Sequence, residues 1–188
     1  MTQEEVVAYV IDALDRASLT YMVAGSFASN LHGVPRMTQD ADIVIDADET
    51  GVLRLVRLLE PGFYVSEEAA REAVRLRRLF NAIHLATGFK VDLVVKKGRA
   101  FSDEELRRRA PGLLAGRQVA FATAEDTILT KLEWAQMGES ERQYADAAGV
   151  VRVQGDRLAW AYLERWADAL GVRDLLERAR HGEPFRGP

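Results

Sequence analysis

Asp40 and Asp42 stand two residues apart at the head of the apolar run Ile43-Val44-Ile45. Side chains along a strand alternate faces with a period of two, so this spacing sets the two carboxylates side by side on one face. Adjacent carboxylates repel unless a cation stands between them, and a hard divalent ion with oxygen ligands, Mg²⁺ first, resolves that repulsion. Mg²⁺ held by one or two carboxylates plus substrate phosphates is the usual arrangement where phosphoryl groups move. The pair therefore points to an enzyme that handles a nucleotide. The plainer alternative is a solvated strand start carrying ordinary surface carboxylates.

The elements that must position this pair are legible in outline. Val6, Val7, Val10, Ile11 and Leu14 share a helical stripe and predict a helix over residues 3–17. Tyr21 to Ala24 reads as a short buried strand, broken by Gly25-Ser26, with a short helix over Phe27 to Leu31. His32-Gly33-Val34-Pro35 is a loop, and Asp40 to Asp46 the second strand. Val52, Leu53, Val56 and Leu59 mark a helix ended by Pro61-Gly62. Phe80 to Ala86 and Phe89 to Val95 read as two strands joined at Thr87-Gly88. Ser102-Asp103-Glu104-Glu105 carries a capping pattern, which predicts a helix starting there. Gln118 to Ala122 reads as a last edge strand, and everything after about Thr123 reads helical, with a frayed tail after His181.

Composition sets the limits. The chain has 188 residues, 48% hydrophobic and 29% charged, the balance of a soluble globular protein of one domain or one domain with a helical extension. With no cysteine, disulfides, zinc-thiolate sites and a cysteine nucleophile are excluded. No apolar run reaches the roughly 18 residues that span a membrane, and the acidic Met1-Thr2-Gln3-Glu4-Glu5 lacks the layout of a signal peptide. The expectation is a cytoplasmic protein. A net charge of −4 gives no global attraction to nucleic acid. The basic runs Arg71, Arg75, Arg77, Arg78 and Arg107-Arg108-Arg109 are either RNA contacts or solvated faces offset by Glu67, Glu68, Glu104 and Glu105. His32, His84 and His181 lack metal-ligand spacing.

At this point a resemblance enters. A Gly-Ser turn after the first strand, followed by Arg36-Met37-Thr38-Gln39-Asp40-Ala41-Asp42, is similar to the minimal nucleotidyltransferases of the DNA polymerase β superfamily, and within them to the branch of AbiEii-like toxins and related bacterial proteins. Lys90-Val91-Asp92-Leu93-Val94 resembles that family's second motif, where a later aspartate completes a carboxylate triad. Ala124-Glu125-Asp126-Thr127-Ile128-Leu129-Thr130-Lys131-Leu132 resembles the third, a helix start with a lysine one turn in. Arg142-Gln143-Tyr144-Ala145-Asp146 resembles the fourth, with Gln143 where the motif has an aspartate.

The resemblance implies an α/β fold with a mixed sheet flanked by helices over residues 1–122, followed by a C-terminal helical region over 123–188. It implies Mg²⁺-dependent transfer of an NMP from an NTP to an acceptor hydroxyl of RNA, protein or a small molecule, with two ions possible. Asp40, Asp42 and Asp92 would be the catalytic and metal-holding residues. Gly25, Ser26, Arg36 and Lys131 would bind the nucleotide, and Asp146 would hydrogen-bond or position Lys131, its alternative being a helix surface residue. For Lys131 and Arg36 the alternatives are a helix-flank lysine with a wet amine and a plain loop arginine. tRNA or protein acceptors and a cognate antitoxin are possible partners. A non-catalytic nucleotide- or protein-binding module of the same fold, such as a toxin-antitoxin component, is the main rival, with Gln143 in its favour. A metal-dependent phosphohydrolase using the same carboxylates is the second.

Overall fold

The computed structural model describes residues 1–186; residues 187 and 188, at the end of the tail expected to fray, lie outside them. Within the described residues the chain forms two compact units. The first takes residues 1–24 and 38–121, the second residues 25–37 and those from Ala122 onward.

The first unit is built on a seven-stranded sheet with order β3-β4-β5-β2-β1-β7-β6. Its strands are β1 (Thr20–Val23), β2 (Asp40–Asp46), β3 (Phe63–Val65), β4 (Leu79–His84), β5 (Lys90–Val95), β6 (Ala110–Leu114) and β7 (Arg117–Phe121). The strand period explains β2: Ala41, Ile43 and Ile45 are fully buried, while Asp40 and Asp42 occupy the alternate positions. β2 lies inside the sheet, antiparallel to β1 and parallel to β5. β4 and β5 form the expected hairpin, with Gly88 at φ +71° in its turn, where a Cβ is disfavoured. Helices α1 (Gln3–Arg16), α3 (Glu49–Leu59) and α4 (Glu67–Leu76) pack on these strands and on one another, and α5 (Ala100–Arg108) follows β5. The α1 stripe of Val6, Val7, Val10, Ile11 and Leu14 is fully buried. Thr2 caps α1 in a reciprocal box with Glu5.

Three sequence expectations need correction. The strand over Arg117–Phe121 is not an edge strand; it lies between β1 and β6. The edge is β6, which contains Pro111 and Gly112, residues an edge tolerates because one side has no ladder to feed. Ser102 does not cap α5: that helix starts at Ala100, and Ser102 sits inside it, buried, with its Oγ accepting from Arg99 Nε at 3.2 Å. The tail beyond His181 is held down in part. Tyr144 donates its hydroxyl to the Glu183 carbonyl at 2.7 Å, and the Phe185 ring stands 5.4 Å from the Tyr144 ring.

The second unit is helical. It comprises α2 (Gly25–His32), α6 (Ala124–Met137), α7 (Glu141–Gln154), a short 3₁₀ turn (Gly155–Arg157), α8 (Trp160–Leu170) and α9 (Arg173–Arg180). α2 packs against α6 and α7, and α8 against α6 and α9. The N-terminus of α6 is tied inward by Asp126, which is fully buried. Its carboxylate accepts from Thr123 Oγ1 at 2.7 Å and from the Tyr162 hydroxyl at 2.6 Å. Gly33, just past α2, lets two backbones approach: a Cβ there would meet Val150 Cγ2 and the Val150 backbone nitrogen at 2.9 Å. Gly33→Ala is therefore expected to lower stability by about 1–3 kcal/mol through overpacking. A urea midpoint unchanged from the wild type would refute that close fit.

Candidate active site

The site residues expected from sequence fall into two clusters, one in each unit. In the first, the sheet register does the positioning. Asp40 stands beside Lys90 and Asp42 beside Asp92 across the β2–β5 pair, while Asp92 in turn pairs with Asn81 across β5–β4. Cross-strand partners share a face, so Asp42, Asp92 and Asn81 form one row, and Asp40, Lys90 and Ile83 the next. Asp92 is buried. Asn81 Nδ2 donates to one of its oxygens and Lys90 Nζ to the other, at 2.8 Å for the lysine. Lys90 Nζ also stands 3.7 Å from Asp40 Oδ2. Thr38 Oγ1 lies 3.1 Å from Asp40 Oδ1 and donates to the Asp40 carbonyl at 3.0 Å, holding the entry to β2. The hydrogen bond to Asp92 raises the Lys90 ammonium above the ordinary lysine value. Partial burial opposes that rise, and the charges of Asp92, Asp40 and Asp42 add to it.

The donor set of Asp40, Asp42 and Asp92 is all hard oxygen on one face, which is the chemistry a magnesium-like cation takes. It is not gathered into a ready cage. Among the described residues no three acidic or imidazole side chains stand together as an ion-holding group; Lys90 contacts both Asp40 and Asp92. The residues fit a divalent ion by type and face, with one ammonium already among them.

The second cluster centres on Asp146 of α7. Arg36 Nε and Nη2 donate to its two oxygens at 2.7 Å each, and Lys131 Nζ donates at 2.9 Å. Arg36 Nη2 also donates to Ser26 Oγ at 2.8 Å. The side chains of Lys131 and Asp146 are 5% and 7% exposed, so the lysine amine is inside rather than wet. Burial pushes the Asp146 carboxyl up, but the hydrogen bonds from Arg36 and Lys131 outweigh it and hold the group below the ordinary carboxylate value. Gly25 opens α2 with φ +54°, a conformation that favours glycine. Asn30 grips the backbone of Arg36 from both sides, accepting from its N–H at 3.0 Å and donating to its carbonyl at 2.8 Å. Gln143, in place of the motif's aspartate, leaves its buried Oε1 with no hydrogen-bond partner among the described residues.

Sequence reasoning missed Lys90, Asn81 and Thr38 as members of the first cluster. The signal for Lys90 was present, because a residue two before Asp92 on a strand must share its face. The basic runs pair locally: Arg71 with Glu67 and Glu49, and Arg107 with Glu104. His84 is buried with Nδ1 2.8 Å from Thr87 Oγ1, a structural role. No helix among the described residues is long and apolar enough to cross a membrane.

The mixed α/β sheet flanked by helices matches the fold of solved nucleotidyltransferase structures. The solution structure of the antibiotic-resistance factor ANT(2'')-Ia is similar over 96% of this chain and 98% of that one, with TM-score 0.61 and 18% identity. The crystal structure of ANT(2'')-Ia in complex with adenylyl-2''-tobramycin matches over 93% and 99%, with TM-score 0.61 and 20% identity. The lincomycin-bound lincosamide antibiotic adenylyltransferase LnuA matches over 80% and 96%, with TM-score 0.53 and 14% identity. No protein-family model matches the sequence, and no curated protein matches it.

Proposed function

We propose that the protein is a nucleotidyltransferase that moves an NMP group from an NTP to a hydroxyl of a small-molecule acceptor and releases pyrophosphate. The observation that carries this reading is the carboxylate array, Asp40 and Asp42 on one strand with Asp92 in register on the next. The fold shared with ANT(2'')-Ia and LnuA supports it, and their named ligands favour a small-molecule acceptor over RNA or protein. The AbiEii-like branch rests on the order of the four sequence motifs.

Asp40 and Asp42 would hold a divalent ion, Mg²⁺ first, which when bound offsets the triphosphate charge as charge moves onto the leaving oxygens. Asp92 accepts the proton of the acceptor hydroxyl, oriented for it by Asn81 and Lys90. The acceptor oxygen forms a bond to the α-phosphorus, the bond from that phosphorus to the bridging oxygen breaks, and pyrophosphate leaves with the electron pair. Within the second unit, Gly25, Ser26, Arg36 and Lys131 are the candidates for phosphate contacts. Catalysis of this kind is mostly positioning and charge stabilisation, and ordered, hydrogen-bonded side chains are what that requires.

The test is transfer of label from each α-³²P-NTP with Mg²⁺ to a panel of aminoglycosides, lincosamides, bacterial tRNA and cell-extract protein. Label on a small molecule supports the proposal and names base and acceptor. Label on tRNA or protein keeps the transferase and overturns the acceptor. No transfer, with no nucleotide binding by calorimetry, leaves the non-catalytic module, for which the orphaned Gln143 Oε1 is the specific support.

A further inference from the structure

We infer that this site takes one divalent cation, at Asp40 and Asp42, and that the Lys90 ammonium stands in for a second. The inference rests on the transferase reading above and sets at one the metal count for which the sequence resemblance allowed two.

Lys90 lies across the strand pair from Asp40 and two residues before Asp92 on its own strand, so its side chain rises on the carboxylate face. Its Nζ lies 2.8 Å from Asp92 Oδ2 and 3.7 Å from Asp40 Oδ2. It thus lies between oxygens of two carboxylates on different strands, hydrogen-bonded to Asp92 and within ion-pair distance of Asp40. Asp92 has no idle oxygen: Asn81 donates to Oδ1 and Lys90 to Oδ2. Asp40 is different. Its Oδ1 meets only a neutral hydroxyl, Thr38 Oγ1, and its side chain is 41% exposed. Asp40 remains open to an ion where Asp92 does not.

Charge gives the same count. Lys90 already offsets part of the negative charge of Asp92 and Asp40. A second divalent ion at Asp92 would have to displace Lys90 or sit against it. Like charges in contact repel strongly where water screens them poorly, so a divalent ion beside an unmoved ammonium is disfavoured. A lysine also cannot do all that an ion does. It holds Asp92 in place and balances its charge, and the hydroxyl proton must then go to the Asp92 carboxylate itself.

The experiment counts ions without turnover. Mn²⁺ alone is titrated into the purified protein, and free Mn²⁺ is read by electron paramagnetic resonance, for the wild type and for Lys90→Met, Lys90→Arg and Asp42→Asn. Circular dichroism confirms that each variant is folded. The expected result is one Mn²⁺ per wild-type chain and one for Lys90→Arg, which keeps the charge. Lys90→Met is expected to take a second ion at least tenfold more tightly than the wild type does, and Asp42→Asn to lose the first. Two ions on the wild type would overturn the inference and leave the metal-dependent transferase intact. One ion on Lys90→Met would overturn the role of Lys90. No Mn²⁺ on any of the folded proteins would overturn both the inference and the metal-dependent reading beneath it.

Discussion

Asp42→Ala is expected to lower nucleotide transfer by about 10³-fold or more while the protein stays folded. An ion held by this carboxylate is worth several kcal/mol of transition-state stabilisation, and each 1.36 kcal/mol is tenfold in rate. The fold should survive because the strand is anchored by other residues. Ala41, Ile43 and Ile45 anchor β2 in the core, its ladder runs to β1 on one side and β5 on the other, and the Asp42 carbonyl accepts from Ala24 N–H at 2.9 Å. Asp46→Asn is the matched control. Asp46 lies on the same strand at the same parity but at its far end, half-exposed and 3.3 Å from Lys96, and its loss should leave transfer within about twofold, as a surface pair is worth little. The readouts are label transfer from α-³²P-NTP, pyrophosphate release and thermal unfolding. If Asp42→Ala keeps transfer within tenfold of wild type, the carboxylate array is not the reacting centre.

Much of this frame was readable before the structure because it is written in short-range pattern. The β2 strand shows its two faces in seven residues, and the β4–β5 hairpin announces itself at Thr87-Gly88. Other elements lacked such a mark. β3 is only Phe63–Val65, below the length at which alternation can be seen, and α4 buries just Ala70 and Ala73, so its stripe is too weakly apolar to stand out among arginines and glutamates. β6 was hidden by Pro111 and Gly112, which signal a break unless the strand is known to be an edge. The capping pattern at Ser102 misled because Ser-x-x-Glu also occurs within a helix, and here both Ser102 and Glu105 are buried. For the site, residue types were legible and their neighbours were not. Lys131 is paired with a carboxylate 15 residues away, and Asp146 with an arginine 110 residues away. Neither separation has a periodic signature, so only the packing of α2, α6 and α7 reveals it.

That same network supports a second large effect, on stability. Asp146→Leu is expected to cost about 3–5 kcal/mol, because it strands the buried Lys131 ammonium without its partner. Arg36, at 28% side-chain exposure, can turn to water; Lys131, at 5%, cannot. The double variant Lys131→Met with Asp146→Leu removes both buried charges and should recover most of the loss, since replacing a buried pair by apolar groups of like volume is often neutral. The pH dependence carries a definite sign. The folded Asp146 carboxyl titrates below its ordinary value, so its contribution is complete above that ordinary value and is lost as pH falls through the lower folded one. The wild type should therefore lose stability on this acid limb, and Asp146→Asn should show a flatter limb from a lower plateau. Urea unfolding from neutral pH to about pH 3 measures both. If the single variant costs less than about 1 kcal/mol, Asp146 is not what neutralises Lys131. If the double variant is no better than the single, what Asp146 contributes is packing rather than charge.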